Sequence, residues 1–330
     1  MDHGFLTKTG TVRRAATATA VAALAGGLAL GAWAQGDYPT KPVELNVMFP
    51  AGSSADVVAR LLADGMAKHL GQPVVVNNRP GAGGAIAYKY VQAQKPDGYT
   101  LVFNSNSVST VYYSGLTPFD YKAFDSIARV TIENPVIAVK ADSPWKDLKE
   151  LVAHAKQKPG ELRLGNSGTG SHTHITAVAF FGDQKAEPLH VPFAAAQVVT
   201  SLLGGHIDAL VQLPSALAPH VRAGTLRIVG VLASKRDPAF PGVPTAIEQG
   251  FDFQADMWRG VAAPRGTPPA VLARLEKAIQ KTVDSPEFKA QGEKNGYIAA
   301  FQPASEFNHT IATEDALLAK LMTRVGMKQP

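Results

Sequence analysis

The sequence predicts an α/β protein of two lobes, each a mainly parallel sheet flanked by helices. Strand-like apolar runs alternate with helical patterns along most of the 330 residues, and such βαβ repetition is typical of a parallel sheet covered by helices. Two extended segments, Ile127–Lys140 and Met257–Ala263, interrupt this alternation. They predict a chain that passes from one lobe to the other and later returns. The length also suits two domains.

The N-terminus, residues 1–34, predicts a secretory signal peptide that is not part of the fold. Arg13 and Arg14 precede the apolar run Ala15–Ala32, and Ala32–Ala34 has the small-x-small form of a cleavage site. The paired arginines also leave a twin-arginine signal open, but alanines follow them where that motif has larger apolar residues. We therefore expect an exported, soluble mature protein.

The composition excludes several classes of function. The chain is 45% hydrophobic and 18% charged, which is ordinary for a globular protein. It has no cysteine, which removes thiol catalysis and cysteine-based metal sites. The net charge of +5 is spread without a dense run of lysine or arginine, which argues against binding to nucleic acid.

The first lobe is predicted from residues 35–137 and 256–330. In order, we expect strand Val43–Phe49, helix Ser54–Leu70 ended by Gly71, strand Pro73–Asn78, a helix from the glycines 81–84 to about Gln94, and strand Thr100–Asn104. After the second extended segment, the predicted helices are Pro269–Val283, Pro286–Gly292 and Pro303–Val325.

The second lobe is predicted from residues 138–255. Ser143-Pro144 indicates an N-cap followed by proline in the first turn of a helix from about Trp145 to Lys156. Four short strands follow with helices between them: Leu162–Gly165, Leu189–Val191, Ala209–Gln212 and Ile228–Leu232.

The first candidate site is the loop Phe49–Asp56, Phe-Pro-Ala-Gly-Ser-Ser-Ala-Asp, between a strand and a helix. A helix N-terminus exposes unpaired N–H groups and a positive dipole. Small residues allow close approach, and Ser53 and Ser54 add hydroxyl donors, so a carboxylate or phosphate would fit. The loop matches neither the dinucleotide fingerprint nor the P-loop. The alternative is that the serines only cap the helix.

The second candidate site has the same layout. Strand Leu162–Gly165 runs into Asn166-Ser167-Gly168-Thr169-Gly170-Ser171-His172 and then a helix. Two such loops, one from each lobe, could close on one ligand. The loop lacks the second glycine of the hydrolase elbow. His172 and His174 do not share a helix face and no H-E-x-x-H motif is present, so we expect no metal site and no cofactor.

A third loop, Asn104–Ser107, follows the strand Thr100–Asn104. Ligands of open parallel sheets lie at the carboxyl ends of the strands, so this loop is on the correct edge. Ser105 and Asn106 are the residues that we expect to contact a ligand. The alternative is a polar turn that caps a helix, and the two are compatible.

These motifs resemble the extracytoplasmic receptors of tripartite tricarboxylate transporters, the Bug family of periplasmic solute-binding proteins. The resemblance lies in short pieces that occur in order along the chain. They are Lys41-Pro42, residues 50–56 and 70–76, Asn78-Arg79-Pro80-Gly81-Ala82-Gly83-Gly84, residues 96–101, His190-Val191-Pro192-Phe193, residues 203–208 and Pro264-Arg265-Gly266-Thr267-Pro268.

The resemblance implies a two-lobed periplasmic-binding-protein fold of the type II kind, with a hinge that the chain crosses twice. It implies that the first two loops hold one ligand carboxylate, and that a membrane-embedded two-component transporter takes up the ligand. It implies a binding protein rather than an enzyme, and we expect a monomer. The ligand-binding residues that we predict are Phe49, Ala51, Gly52, Ser53, Ser54, Asp56, Ser105, Asn106, Asn166, Ser167, Gly168, Thr169, Gly170, Ser171, His172, Phe193, Gln212 and Arg259.

Departures from the family pattern bear on the ligand. His172 and Arg259 stand where the family has neutral groups, and Gln212 stands where a binder of amino acids would want an acid. An unpaired buried charge is costly, so a second anionic group on the ligand would supply the partner. Phe193 with Ala194 and Ala195 leaves room for a flat spacer. These departures predict a dicarboxylate, with an aromatic one such as terephthalate ahead of an aliphatic one.

Other interpretations stay open. Arg259 could be a solvated hinge residue, and His172 could only cap its helix. A sensory receptor that docks a signalling protein could have the same fold and ligand. An exported α/β hydrolase or isomerase would show turnover instead of stoichiometric binding.

Overall fold

The computed structural model describes residues 1–3, 38–194, 197–324 and 326–328. The predicted signal peptide falls almost entirely on residues outside this set, as does Ala195. Among the described residues, no helix combines the length and the apolar character needed to cross a membrane.

The described strands form two sheets, one of six strands and one of five. The first sheet has the order β11-β4-β10-β3-β1-β2. Its strands are β1 (Val43–Val47), β2 (Val74–Asn78), β3 (Thr100–Ser105), β4 (Phe124–Glu133), β10 (Met257–Pro264) and β11 (Ile298–Pro303). The second sheet has the order β7-β6-β8-β5-β9. Its strands are β5 (Val136–Lys140), β6 (Arg163–Asn166), β7 (Leu189–Pro192), β8 (Ala209–Gln212) and β9 (Leu226–Val231).

Ten α-helices are described along with these strands. In chain order they are α1 (Ser54–Leu70), α2 (Ala85–Gln92), α3 (Ser107–Tyr113), α4 (Leu148–Gln157), α5 (His172–Asp183), α6 (Gln197–Leu203), α7 (Pro214–Arg222), α8 (Pro269–Val283), α9 (Pro286–Asn295) and α10 (Ala304–Arg324).

The α/β fold class is confirmed, and both sheets are mixed. Strand β1 is parallel to β2 and β3, and β6 is parallel to β7 and β8. The antiparallel pairs involve the strands on which the chain changes sheets, β4 to β5 and β9 to β10. The prediction that each sheet is mainly parallel was therefore wrong. Strands β5 and β10, which the chain enters directly after each crossing, run antiparallel to both of their neighbours.

Two local predictions were also wrong. Helix α4 begins at Leu148 rather than Trp145, and its N-cap is Asp147, whose side chain accepts the Glu150 N–H at 2.9 Å, not Ser143. The acidic cap is the stronger signal because it lies directly before the apolar periodicity. Strand β11 was missed, since its run of alanines carries little strand propensity.

Strand direction decides where polar residues gather. The carboxyl ends of β1 and β3 share one edge of the first sheet, and Arg259 at the start of antiparallel β10 pairs with Ser105 at that same edge. Glu133, the last residue of β4, pairs with Met257 beside it. In the second sheet, the parallel strands β6 and β8 end at Asn166 and Gln212. Apolar side chains cover both faces of the second sheet, so its polar residues are confined to such strand ends.

Candidate ligand-binding cleft

A cleft of about 290 Å³ lies where these strand ends meet. We call it the cleft, and both sheets contribute to it. Its lining residues are Phe49, Ser53, Ser54, Ala55, Ser107, Ser167, Ser171, His172, Thr173, Gln212, Leu213, Met257 and Arg259.

A larger cavity of about 860 Å³, the vestibule, shares Phe49 and Ser167 with the cleft. Predicted residues Gly168, Thr169 and Phe193 line the vestibule, together with the turn Gly81–Gly84. A Cβ added to Gly83 would lie 3.0 Å from the carbonyl oxygen of Thr169. The glycine turn therefore packs against the second loop across the vestibule.

In the first loop, Phe49–Asp56, Ser53 is the N-cap of α1. Its Oγ accepts the N–H of Asp56 at 3.3 Å, and its side chain lines the cleft. Gly52 has φ +78°, a conformation that favours glycine. The Gly52 N–H donates to Asp56 Oδ2 at 3.0 Å, and this bond closes the loop on itself.

Asp56 lies outside the cleft lining formed by the described residues, as do Ala51 and Gly52. Its carboxylate accepts from Arg60 Nη2 at 2.8 Å and from Asn78 Nδ2 at 2.9 Å. Burial alone would raise the pKa of Asp56, and the bonds from Arg60, Gly52 and Asn78 outweigh it and lower that pKa. The structure thus gives Asp56 the role of holding the loop, because its oxygens already have donors.

Ser54 was predicted as a hydroxyl donor to the ligand, and the structure gives its proton to another group. Ser54 Oγ lies 2.6 and 2.9 Å from the two carboxylate oxygens of Glu133, and it accepts from Arg259 Nη2 at 2.9 Å. The guanidinium Nε of Arg259 also donates to Glu133. Ser54 still lines the cleft, but its hydroxyl proton is engaged with Glu133.

Arg259 is 1% exposed and Glu133 is completely buried. The solvated-hinge interpretation of Arg259 was therefore wrong, and so was the argument that its charge needs a partner from the ligand. Sequence reasoning missed Glu133. The available signal was an acid, Glu133, and a base, Arg259, on largely apolar strands, since charged residues are almost never fully buried unless they are paired.

The third loop contributes a different residue from those predicted. Asn106 Nδ2 donates to Glu314 at 2.9 Å, and Asn106 Oδ1 accepts the Trp258 N–H at 2.9 Å. Ser105 Oγ accepts the Ser107 N–H at 3.2 Å. Neither Ser105 nor Asn106 belongs to the described lining of the cleft, whereas Ser107 does. Among the described residues, none bonds to the buried Ser107 Oγ.

The second loop, Asn166–His172, is held by neutral groups. Asn166 Oδ1 accepts the Gly168 N–H at 3.1 Å, and His174 Nδ1 accepts the Gly170 N–H at 3.2 Å. Asn166 and Gly170 lie outside both described linings, while Ser167 lines the cleft. Ser167 Oγ and Gln212 Nε2 are 3.0 Å apart, which ties the loop to the end of β8.

Ser171 is the N-cap of α5 and accepts the His174 N–H at 3.3 Å, so the interpretation of His172 as the cap was wrong. His172 is instead a buried residue of the cleft wall. Burial, together with the nearby positive charge of Arg259, lowers the pKa of His172 to about 4. His172 is therefore neutral at pH 7, not the cation that we expected.

The residues that sequence reasoning missed in the cleft are Ala55, Thr173, Leu213 and Met257, besides Ser107. Ala55, Ser107, Thr173 and Leu213 each lie one position from a predicted site residue, and Met257 lies two positions before Arg259, on the same face of β10. Thr173 Oγ1 accepts the Ser167 N–H at 3.0 Å and so also braces the second loop.

Fold and cleft together define a two-sheet solute-binding protein in which two strand-to-helix loops face one cavity. The tripartite tricarboxylate transporter family receptor profile matches residues 58–327. The chain belongs to this family, whose members are substrate-binding receptors, not enzymes.

Similar proteins agree with this assignment. A UPF0065 protein in the gbd 5' region of Cupriavidus necator is 35% identical over 94% of this chain and 96% of its own length. Protein BugT of Bordetella pertussis is 36% identical over 77% of this chain and 81% of its own.

Three solved structures share the fold. The periplasmic binding protein BugD has a TM-score of 0.84 and 28% identity, covering 89% of this chain and 100% of BugD. Rpa4515 of R. palustris, solved with adipate, has a TM-score of 0.84 and 26% identity, covering 88% and 99%. MatC of Rhodopseudomonas palustris, solved with bound malate, has a TM-score of 0.80 and 27% identity, covering 86% and 99%.

Proposed function

We propose that this chain is a periplasmic receptor that captures an organic dicarboxylate in the cleft and delivers it to a membrane-embedded two-component transporter. One observation carries the proposal. The serine N-caps of two helices, Ser53 of α1 and Ser171 of α5, line the same cleft. Helix N-termini attract anions through their free N–H groups and their dipole, so two of them facing one cavity favour a shared carboxylate.

The preference for a second carboxylate rests on two buried donors that line the cleft. Arg259 Nη1 and Ser107 Oγ are buried, and no described residue bonds to either atom. Unsatisfied buried donors are costly, and a ligand oxygen would satisfy both. Neutral His172 also lines the cleft, with its Nδ1 3.4 Å from Thr176 Oγ1. Malate and adipate, which are bound by two of the related proteins, are both dicarboxylates.

An aromatic spacer fits the remaining lining. Phe49, Leu213 and Met257 supply apolar surface to the cleft, and Phe193 lines the adjoining vestibule. Flat apolar surface favours a ring over a flexible chain, because a rigid ligand loses less conformational entropy on binding. We therefore rank a benzene dicarboxylate such as terephthalate ahead of an aliphatic diacid.

The central test is calorimetry with matched acids. Terephthalate would be compared with benzoate, and succinate with butyrate, in the wild type, His172→Ala and Arg259→Ala. We expect the wild type to prefer each diacid and both variants to lose part of that preference. Arg265→Ala, which removes an exposed arginine of the first sheet, is the control and should leave the preference intact. A wild type without preference, or variants that keep it, would contradict the second-carboxylate proposal.

Capture is proposed to occur by closure of the two lobes, residues 35–137 with 256–330 and residues 138–255. Each lobe contributes one of the two loops, so a ligand that bridges them favours the closed form. Small-angle scattering should show a smaller radius of gyration at saturating ligand, and an unchanged value would count against closure.

Light scattering should report a monomer. Export by the N-terminal signal and delivery to a transporter predict that deletion of the gene abolishes uptake of the labelled ligand by intact cells.

A further inference from the structure

A carboxylate of the protein already occupies the position on Arg259 that a ligand carboxylate would take. A guanidinium binds a carboxylate best through two parallel N–H groups on one edge. The Nε of Arg259 donates to Glu133 and its Nη2 donates to Ser54, which is itself bonded to Glu133. Nη1, from which no described residue accepts, is left for the cleft together with the second N–H of Nη2.

The pair of charges is close to neutral as seen from the cleft. Glu133 is 0% exposed and Arg259 is 1% exposed, so water screens neither charge and each depends on the other. Ser54 and Arg259 line the cleft, whereas Glu133 lies behind them. A group on the ligand that reaches Arg259 Nη1 therefore meets a strong hydrogen-bond donor whose positive charge is already compensated.

Glu133 is also fixed from both sheets. Ser54, at the start of α1, donates to it, and this helix follows β1 of the first sheet. Ser215, in the first turn of α7, also donates to it, and this helix follows β8 of the second sheet. A ligand carboxylate could take the Nε–Nη2 edge of Arg259 only by displacing Glu133, which would leave a buried carboxylate without its cation. That exchange is unfavourable, so the ligand is restricted to the remaining N–H groups of Nη1 and Nη2.

We propose that Glu133 is a specificity-determining residue that limits the advantage of a second charge on the ligand. The cleft then accepts a carboxylate or a neutral oxygen acceptor, such as a carboxamide, at its Arg259 end. This inference rests on the proposed function, and it extends the ligand class from dicarboxylates to carboxylates whose second hydrogen-bond acceptor need not be charged.

The test compares a diacid with its half-amide, which has nearly the same shape and one charge fewer. Terephthalate against 4-carbamoylbenzoate and succinate against succinamate would be measured by calorimetry. In the wild type we expect each diacid to be favoured by less than about ten-fold, since charge-assisted bonds differ from neutral ones by about that factor when fully developed. In Glu133→Gln, which keeps the shape and removes the negative charge, we expect the preference to grow by about ten-fold or more.

Two further variants separate selectivity from damage to the fold. The double variant Glu133→Gln/Arg259→Gln removes both charges. Its ratio of diacid affinity to half-amide affinity should return to the wild-type value. Thr131→Val, an isosteric change of a buried residue two positions earlier on β4, should leave the ratio unchanged. Circular dichroism would check the fold of each variant. If Glu133→Gln fails to fold, Arg259→Gln gives the decision, because an uncompensated Glu133 should lower the ratio of diacid to half-amide below the wild-type value.

The outcomes are distinct. The deciding quantity is the ratio of the affinity for the diacid to that for its half-amide. If this ratio is the same in the wild type and in a folded Glu133→Gln, or in a folded Arg259→Gln where that variant is used, the proposed role of Glu133 is wrong. The proposed function as a carboxylate receptor is not affected by that result. A wild type that binds neither the diacids nor the half-amides overturns the proposed function itself, and the inference with it.

Discussion

The first loop, Phe49–Asp56, is held by charged side chains, whereas the second loop, Asn166–His172, is held by neutral ones. Both follow a parallel strand, both end in a serine N-cap, and both reach the same cleft. Behind the first loop lie two arginine–carboxylate pairs, Arg60 with Asp56 and Arg259 with Glu133. Behind the second lie amide, hydroxyl and imidazole groups, among them Gln212 and His174.

The two loops therefore have similar geometry but are stabilised by different kinds of interaction. The bonds from Arg60, Gly52 and Asn78 lower the pKa of Asp56, so the first loop should be insensitive to mild acid. The second loop depends on an imidazole nitrogen that accepts an N–H and must stay unprotonated to do so. The two loops should therefore respond differently to the removal of a charge, to pH and to changes in the backbone.

The largest effect is expected from breaking the buried ion pair. Arg259→Leu leaves Glu133 buried without its cation, and the free energy of unfolding should fall by about 3–5 kcal/mol. Arg60→Leu is the matched change on the half-exposed pair, where Asp56 keeps its bonds from Gly52 and Asn78. It should cost about 1 kcal/mol or less. Denaturant unfolding measures both values, and equal losses would contradict the distinction between the two pairs.

Acid should weaken the second loop first. Burial, and to a smaller extent His190, lower the pKa of His174 to about 4. The unfolded chain has the ordinary value of about 6.5, so it binds more protons than the folded chain between pH 6.5 and 4. The stability due to neutral His174 is therefore present above pH 6.5 and is lost as the pH falls toward 4. By pH 5 the loss should be about 1–2 kcal/mol.

The measurement must isolate this histidine. Burial raises the pKa of Glu314 to about 7 and that of Asp237 to about 6, and these shifts favour the folded chain in acid, opposite in sign to His174. His172 acts in the same direction as His174. Comparison with His174→Gln cancels these shared contributions, since the glutamine oxygen can still accept the Gly170 N–H. Unfolding curves at pH 7 and pH 5 that shift equally in the two proteins would rule out the role of His174.

Backbone strain should also differ between the loops. Gly52 has φ +78° and an added Cβ would meet no described atom within 4 Å, so Gly52→Ala should cost about 1 kcal/mol through its backbone alone. Gly168 has φ +106°, farther from the left-handed region open to alanine, and its Cβ would lie 3.4 Å from the Phe193 carbonyl oxygen. Gly168→Ala should cost toward the upper end of about 1–3 kcal/mol. Thermal unfolding of both variants gives the order, and the reverse order would contradict it.

The same contrast explains what could be predicted from the sequence. Strand, small-residue loop and capped helix are local patterns, so both loops and their serines could be identified from spacing alone. The partners of Ser54 and Arg259 could not, because Glu133 lies 79 residues from Ser54 and 126 from Arg259. Such pairs depend on which strands become neighbours in the sheet. The mixed sheet places β4 beside β10, whereas the alternating pattern predicted parallel neighbours.

Charge state was the other failure. His172 and Arg259 were treated as two cations because their side chains are basic. The fold buries the histidine, which makes it neutral, and supplies the arginine with its own carboxylate. Both effects come from tertiary packing, for which the identity of the residue gives no local signal. The resemblance to known receptors predicted the class of protein. The departures from the family pattern at His172 and Arg259 identified only the residues whose effect on ligand preference should be measured.

The smallest expected effect compares the two serine caps. Ser53 Oγ accepts the Asp56 N–H, and its own O–H can be donated to a ligand. Ser171 Oγ accepts the His174 N–H and lies 3.2 Å from Thr173 Oγ1, so its proton can be shared within the loop. Loss of either cap should cost about 1 kcal/mol of stability. A hydrogen bond to a charged group contributes about 1.5–3 kcal/mol, so Ser53→Ala should weaken ligand binding about ten-fold or more, and Ser171→Ala should weaken it less. Calorimetry with the preferred diacid separates the two, and unchanged affinity in Ser53→Ala would remove that hydroxyl from the site.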